Sequence, residues 1–138
     1  MRNIAPEVVS IAESCLGGLQ GRSALLVGPQ EQCIAYEHLL RHAKMKYIYK
    51  EETTAHVAAI LPFVQLLISM PATAERAAPL LTAATIARGC QGRRAPLLIF
   101  DLATSTSVEE LAGLLPAVCL YTPDDLRRVL SGIEMKAS

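Results

Sequence analysis

The chain alternates short apolar runs with stretches in which apolar residues recur at helical spacing, and this alternation is its most constraining feature. Ser23–Val27 is such a run, bounded by Gly21 and Gly28, and it is typical of a strand that is buried on both faces. Strands of this kind occur in parallel sheets whose two faces are covered by helices. The alternation therefore predicts an α/β fold.

Turn and capping residues mark the ends of these segments. Gly17 and Gly18 end the opening helix, Thr82 suits a helix N-cap, and Thr122 with Pro123 suits another. Strands are predicted at 23–27, 46–49, 64–69, 96–100 and 118–121, and helices at 4–15, 32–42, 82–90, 108–115 and from 123 onward. We expect a single doubly wound, Rossmann-like domain over all 138 residues, with about five parallel strands, helices on both faces and right-handed crossovers.

Charge and hydropathy exclude several classes of partner. Thirteen basic and thirteen acidic residues cancel, so no net field favours nucleic acid or an anionic membrane surface. No run approaches the roughly 18 apolar residues of a membrane span. The first ten residues contain Pro6 and Glu7 where a signal peptide would have an apolar core. We therefore expect a cytoplasmic protein that binds neither nucleic acid nor membrane.

Cysteines, histidines and a basic turn are weak candidates for chemistry. The four cysteines are widely spaced without a C-x-x-C pair, so we expect reduced structural thiols that behave as small buried hydrophobes. His38 and His42 lie one helical turn apart, but no carboxylate or thiol is spaced to complete a metal site, so no metal is expected. Arg88, Arg93 and Arg94 could touch an anionic partner, but we favour a solvated loop.

Four stretches together resemble a known family. They are EVVSIAESCLGGLQGRSALLVG, which includes the first strand, LLISMPAT at the third predicted strand, APLLIFDLA at the fourth, and VCLYTPDDL at the last. In this order and spacing they are similar to the NADP-binding domain of glutamyl-tRNA reductase, an enzyme of tetrapyrrole synthesis. Siroheme-type precorrin dehydrogenases share the first stretch but lack the last two, so that resemblance ranks lower.

The resemblance implies a specific sheet order. The family has about twenty residues between its second helix and the strand that matches the third predicted strand here. These residues have no counterpart in this chain, and one strand is expected to be lost with them. Removing it leaves the order 2-1-3-4-5. In such a sheet the ligand site lies at the carboxyl ends of strands 1 and 3, where the order reverses. We expect that site to be shallow.

The phosphate-binding loop departs from the family's pattern. The family's first strand leads into G-x-G-x-x-G, in which each glycine permits a tight turn, a close approach to the pyrophosphate or close helix packing. In LLVGPQEQC only Gly28 matches, while Gln30 and Cys33 carry side chains where glycines are expected. The following helix N-terminus could still attract an anion, but access to it is expected to be obstructed.

Other family positions also differ. Glu51, Glu52 and Thr53 stand where the family has N-R-T, which reverses the charge that would face the 2′-phosphate of NADP. These carboxylates suit either the ribose hydroxyls of NAD or a solvated acidic turn, and we favour the turn. The residues 105–107 read S-T-S in place of the family's P-R-D. Asp101 ends a buried strand, where it could serve a site or cap the next segment.

Two functional hypotheses follow. The first is a degenerate, non-catalytic domain that acts as an interaction or regulatory module, because we expect the family's cysteine-bearing, tRNA-binding domain and dimerisation helix to be absent. The second is a small NAD(P)-binding oxidoreductase or dinucleotide sensor with an altered loop. We expect weak NAD(H) or NADP(H) binding at most, and association as a homodimer or with a partner protein through the first and last helices. No catalytic residue is assigned, and the vestigial cofactor-site residues are Gly28, Gln30, Glu31, Cys33, Glu51, Glu52, Ser69 and Asp101.

Overall fold

The computed structural model describes residues 4–74, 77–104 and 106–137, and it contains a five-stranded parallel sheet. The strand order is β2-β1-β3-β4-β5, which confirms the predicted order 2-1-3-4-5. The strands are β1 (Ser23–Val27), β2 (Tyr47–Glu51), β3 (Leu66–Ser69), β4 (Leu97–Asp101) and β5 (Val118–Tyr121). Because every pairing is parallel, all five carboxyl ends lie at one edge of the sheet.

Helices lie on both sides of the sheet. The α-helices are α1 (Ala5–Leu16), α2 (Gln30–His42), α3 (Val57–Ile60), α4 (Ala83–Gly89) and α5 (Pro123–Ala137). Two short 3₁₀ helices, η1 (Leu61–Phe63) and η2 (Glu110–Leu114), complete the layers. Among the described residues no helix is both long and apolar enough to span a membrane.

The predicted helix ends are confirmed by their capping contacts. α1 ends at Gly17, whose φ of 69° is left-handed and therefore favours glycine. The Thr82 side chain accepts a hydrogen bond from the backbone N–H of Thr85 at the start of α4. At α5, Thr122 and Asp125 exchange hydrogen bonds, each side chain accepting from the other's backbone N–H.

The helix predicted at 108–115 was wrong in type, because this segment forms the 3₁₀ helix η2. Val108 is fixed beside Leu81 in an isolated parallel bridge, so the helix begins only after it. Gly113 is a poor helix former, and Pro116 has no N–H with which to continue the helical hydrogen bonds. The tighter turn leaves Leu111 and Leu114 largely exposed instead of buried as an amphipathic stripe.

Two apolar cores lie on opposite faces of the sheet. The alternation along β1 sends Ala24 and Leu26 to one core and Leu25 and Val27 to the other. The first core packs under α1, α2 and α5, which are 12, 13 and 15 residues long. The second packs under the much shorter α3, α4, η1 and η2. The helices that cover the two faces of the sheet therefore differ greatly in length.

The cysteines only partly match the expectation of buried structural thiols. Cys33 is buried and Cys90 half-buried, but Cys15 and Cys119 are exposed. Cys15 lies near the end of α1, and Cys119 lies on β5, which is an edge strand of the described sheet. The Cys15 Sγ lies 3.4 Å from the Tyr121 hydroxyl, which contributes to raising the pKa of Tyr121 to about 12.

Candidate functional site

A cleft opens at the carboxyl edge of the sheet, between the ends of β1 and β2. Its volume is about 270 Å³, slightly below the roughly 300 to 1,000 Å³ of typical ligand pockets. The cleft includes five of the eight predicted cofactor-site residues and one that sequence reasoning missed, Lys50. The lining residues are Gly28, Gln30, Cys33, Lys50, Glu51 and Glu52.

Gly28 is required here by the fold itself. Its φ is +139°, and its N–H donates to the Glu51 carbonyl at 2.9 Å, joining the first turn to β2. A Cβ placed on Gly28 would lie 2.7 Å from the Met70 Cβ, which is closer than real Cβ contacts come. Packing against Met70 is thus sufficient to explain a glycine at this position.

The first turn of α2 forms one wall of this cleft. Pro29 takes the N-cap position without a side-chain cap, and its carbonyl accepts from the Gln32 N–H at 3.0 Å. Gln30 is exposed and lines the cleft. Glu31 is also exposed, and its carboxylate in the first helical turn interacts favourably with the helix dipole.

Cys33 is only 1% exposed and belongs to the core under α1, α2 and α5. Burial raises the pKa of its thiol to about 11, so the group is protonated at neutral pH. A protonated, buried thiol is a poor nucleophile and a poor metal ligand. Its side chain instead fills the close contact between helix and sheet that a glycine would leave open.

The charged residues at the end of β2 already have partners. The Glu51 Oε1 lies 2.8 Å from the His56 Nδ1, and the Lys50 Nζ lies 3.0 Å from the Glu37 Oε1. A hydrogen bond from Arg41, and to a lesser extent one from Lys50, holds the pKa of Glu37 below its usual range. These pairs engage the Lys50 ammonium and one oxygen of Glu51.

A sealed polar network occupies the same edge at the ends of β3 and β4. Ser69 and Asp101 have no exposed surface, and Ser107 is 4% exposed. The Asp101 carboxylate accepts hydrogen bonds from the Ala103, Ser107 and Val108 N–H groups and from the Ser107 hydroxyl, at 2.8 to 3.1 Å. Because the Ser107 hydroxyl donates to Asp101, it must accept the 2.9 Å hydrogen bond from Ser69.

This network places two of the predicted cofactor-site residues outside the cleft. Ser69 and Asp101 hold the segment that returns from β4, so Asp101 plays the capping role that the sequence left open. Sequence reasoning noted Ser107 only as a departure from P-R-D. The available signal was an Asp at a strand end with Ser107 six residues later, since short polar side chains often hydrogen-bond nearby backbone N–H groups.

The other candidates take structural or surface positions. Arg93 is half-buried, and its guanidinium donates to the Leu61 carbonyl at 2.8 Å and the Ala95 carbonyl at 2.7 Å, so it ties loops together at the amino edge. Burial lowers its pKa. His38 and His42 are exposed on α2. Within the described part of the chain, no three His, Cys, Asp or Glu side chains are placed to hold a metal ion.

Comparison with known proteins identifies relatives along nearly the whole chain. No protein-family model matches it. It is 30% identical to the glutamyl-tRNA reductase of Methanospirillum hungatei over 152 aligned positions, covering 92% of this chain and 35% of the relative. The Xanthomonas campestris pv. phaseoli enzyme is also 30% identical, with 93% of this chain and 34% of the relative covered. The chain thus spans about one third of these curated relatives.

A solved structure supports the same relationship at the level of the fold. Glutamyl-tRNA reductase from Methanopyrus kandleri superposes with a TM-score of 0.72 and 23% identity, covering 91% of this chain and 36% of that one. The Methanospirillum alignment is longer than this entire chain, so the relative contains residues within the matched segment that have no counterpart here. The chain is therefore similar to glutamyl-tRNA reductases over about one third of the length of those enzymes.

Proposed function

We propose that this domain is a non-catalytic, reductase-like module that acts through protein contacts or regulation in tetrapyrrole metabolism. The relatives' name, glutamyl-tRNA reductase, suggests the pathway. One observation carries the non-catalytic part: the carboxyl edge that would hold a dinucleotide is divided into a small cleft and a sealed network. In the cleft, the Cys33 side chain fills the close contact between α2 and the sheet. In the sealed network, the Asp101 carboxylate is saturated by hydrogen bonds.

The cleft supports this proposal by the way its groups are used. A dinucleotide's pyrophosphate needs backbone N–H groups that it can approach closely, and glycines make that approach possible. Here Gln30 stands at the start of α2, and Gly28 already packs against Met70. One oxygen of Glu51, Oε1, already contacts the His56 ring. The residues present therefore do not fit a dinucleotide held as in the family's motif.

A second candidate function rests on the cleft itself. Its volume is only slightly below the usual range, and two carboxylates, Glu51 and Glu52, stand at the end of β2. A carboxylate at that position can accept ribose hydroxyls. A small NAD(H)-binding oxidoreductase or dinucleotide sensor, with its phosphates bound in an altered way, is the function that this observation favours.

Calorimetric titration of the whole chain with NADH and NADPH separates the two proposals. The first predicts dissociation constants no tighter than about 1 mM, equivalent to about −4 kcal/mol. ADP-ribose serves as a matched ligand that lacks the nicotinamide, so it reports on the phosphate and ribose contacts alone. Micromolar binding of either dinucleotide would reject the first proposal and support the second.

A further inference from the structure

The face of the sheet covered by α3, α4, η1 and η2 exposes an unusual amount of apolar surface. Leu111 is 65% exposed and Leu114 is 80% exposed, although both are large aliphatic side chains. They lie three residues apart on a 3₁₀ helix, which repeats every three residues, so they share one side of η2. Ala112, between them, is fully buried. This surface is thus a defined stripe instead of a single stray side chain.

The stripe lies on η2, and the neighbouring helix α4 runs in the same direction as η2. The Glu109 Oε1 accepts a hydrogen bond from the Ala83 N–H at 2.7 Å, which places the starts of η2 and α4 side by side. The bridge between Leu81 and Val108 fixes both starts near the carboxyl edge of the sheet. Both elements then lead to the amino ends of the next strands, β5 and β4.

Charge is distributed unequally along the stripe. Glu110 is exposed at its carboxyl-edge end, and Arg88 is exposed on α4 at its amino-edge end. Among the described residues neither side chain forms an ion pair, in contrast to Glu37 and Lys50 beside α2. The stripe therefore has an acidic end, an apolar centre formed by Leu111 and Leu114, and a basic end.

A surface of this kind is complementary to itself. When two copies face each other about a two-fold axis through the apolar centre, the acidic end of each meets the basic end of the other. We propose that a second copy of this chain docks here, with Leu111 and Leu114 of both copies in the centre and two Glu110–Arg88 pairs at the rim. This places the self-association surface on the α4–η2 face instead of on α1 and α5.

The first and last helices offer less apolar surface for such a contact. No large hydrophobic side chain of α1 is strongly exposed, and within the described side chains of α5 only Val129 is, at 36%. Exposed positions of α1 include Ser10, Glu13 and Ser14, which are polar. The α4–η2 stripe is therefore the better apolar centre for a dimer, since charged residues are depleted at interface cores.

Sedimentation velocity on the whole chain, from about 5 to 500 μM, tests the proposal, because an apolar centre this small predicts micromolar association. Leu114→Asp should raise the dimer dissociation constant at least about tenfold, since a charge would be buried at the centre. Ile34→Asp is the matched control: Ile34 is 53% exposed on α2, on the opposite face, and its substitution should leave dimerisation unchanged. Circular dichroism checks that both variants fold.

Charge reversal tests the register of the two copies. Glu110→Arg and Arg88→Glu should each weaken the dimer by about threefold to tenfold, because each creates two like-charge contacts at the rim. The double variant, with both charges exchanged, should restore dimerisation to within about threefold of the original. A chain that stays monomeric at 500 μM, a dimer insensitive to Leu114→Asp, or a double variant weaker than either single change would each overturn the proposal.

Discussion

The carboxyl edge of one parallel sheet behaves in two different ways in this protein. At the ends of β1 and β2 it forms an open cleft, lined by exposed or ion-paired side chains such as Gln30 and Glu51. At the ends of β3 and β4 it is closed by Asp101, whose carboxylate accepts four hydrogen bonds while having no exposed surface. Strand topology alone does not create a ligand site, because the loops decide whether the edge stays open.

The same contrast appears in the individual residues of the two halves. The open half retains one glycine, Gly28, and the structure gives it a packing role against Met70. In the closed half the Asp101 carboxylate caps the backbone N–H groups of Ala103, Ser107 and Val108. The stability of the fold thus accounts for Gly28 in the open half and Asp101 in the closed half. Substitutions in the two halves should therefore differ in their effects on unfolding and on ligand binding.

Removing the carboxylate that closes the β3–β4 half should give the largest effect. Asp101→Ala leaves three buried N–H groups and a buried hydroxyl without their acceptor, so we expect a loss of about 3 kcal/mol or more in the free energy of unfolding. Urea unfolding monitored by circular dichroism measures it. Glu31→Ala, an exposed carboxylate in the open half, should cost less than about 1 kcal/mol. Similar losses for both would contradict the distinction.

Substituting the retained glycine tests whether packing explains it. Gly28→Ala should cost about 2 kcal/mol more than Gly18→Ala, because both glycines have positive φ but only Gly28 has a close neighbour, the Met70 Cβ at 2.7 Å. Gly18, with φ +111° and open space around its Cα, therefore controls for backbone strain. Equal free energies of unfolding for the two variants would show that the Met70 contact does not matter.

Placing glycines at positions 30 and 33 should let the cleft accept a pyrophosphate. Gln30→Gly combined with Cys33→Gly is expected to tighten NADH binding at least about tenfold, or about 1.4 kcal/mol, by allowing the backbone to approach the pyrophosphate. With Glu51 and Glu52 unchanged, NADH should be preferred over NADPH, since carboxylates repel the 2′-phosphate. Calorimetry on the wild type, the single Gln30→Gly variant and the double variant measures this. No gain in a folded double variant would place the obstruction elsewhere.

The pH dependence of stability should report the buried thiol. The pKa of Cys33 is about 11 in the fold, above that of an unfolded cysteine, so the stability it contributes is complete below the unfolded pKa of about 8.5 and is lost as pH rises toward 11. Between pH 8 and 11 the wild type should therefore lose about 2 to 3 kcal/mol more than Cys33→Ala, since each unit of pKa difference is worth about 1.4 kcal/mol. Parallel pH profiles from urea unfolding would show that this thiol ionises freely in the folded state.

Sequence patterns predicted the sheet well because buried parallel strands leave a local mark. The run at Ser23–Val27 coincides with β1, and Val118–Tyr121 coincides with β5. The helix caps at Thr82 and Thr122 were likewise visible, since a cap is a contact between near neighbours. The short α3 was missed and η2 was assigned the wrong type, because segments of four or five residues are too short to show a helical period.

By itself the sequence determined the order of elements, the two-sided burial of the central strands β1, β3 and β4, and the presence of side chains at Gln30 and Cys33 in the first turn, because these depend on residue type and near neighbours. Only the tertiary structure decided that Ser69, Asp101 and Ser107 meet in one buried network, since they come from segments up to 38 residues apart. It also decided that Gly28 packs on Met70 and that Leu111 and Leu114 face outward. Contacts between distant segments follow from packing, which no local pattern records.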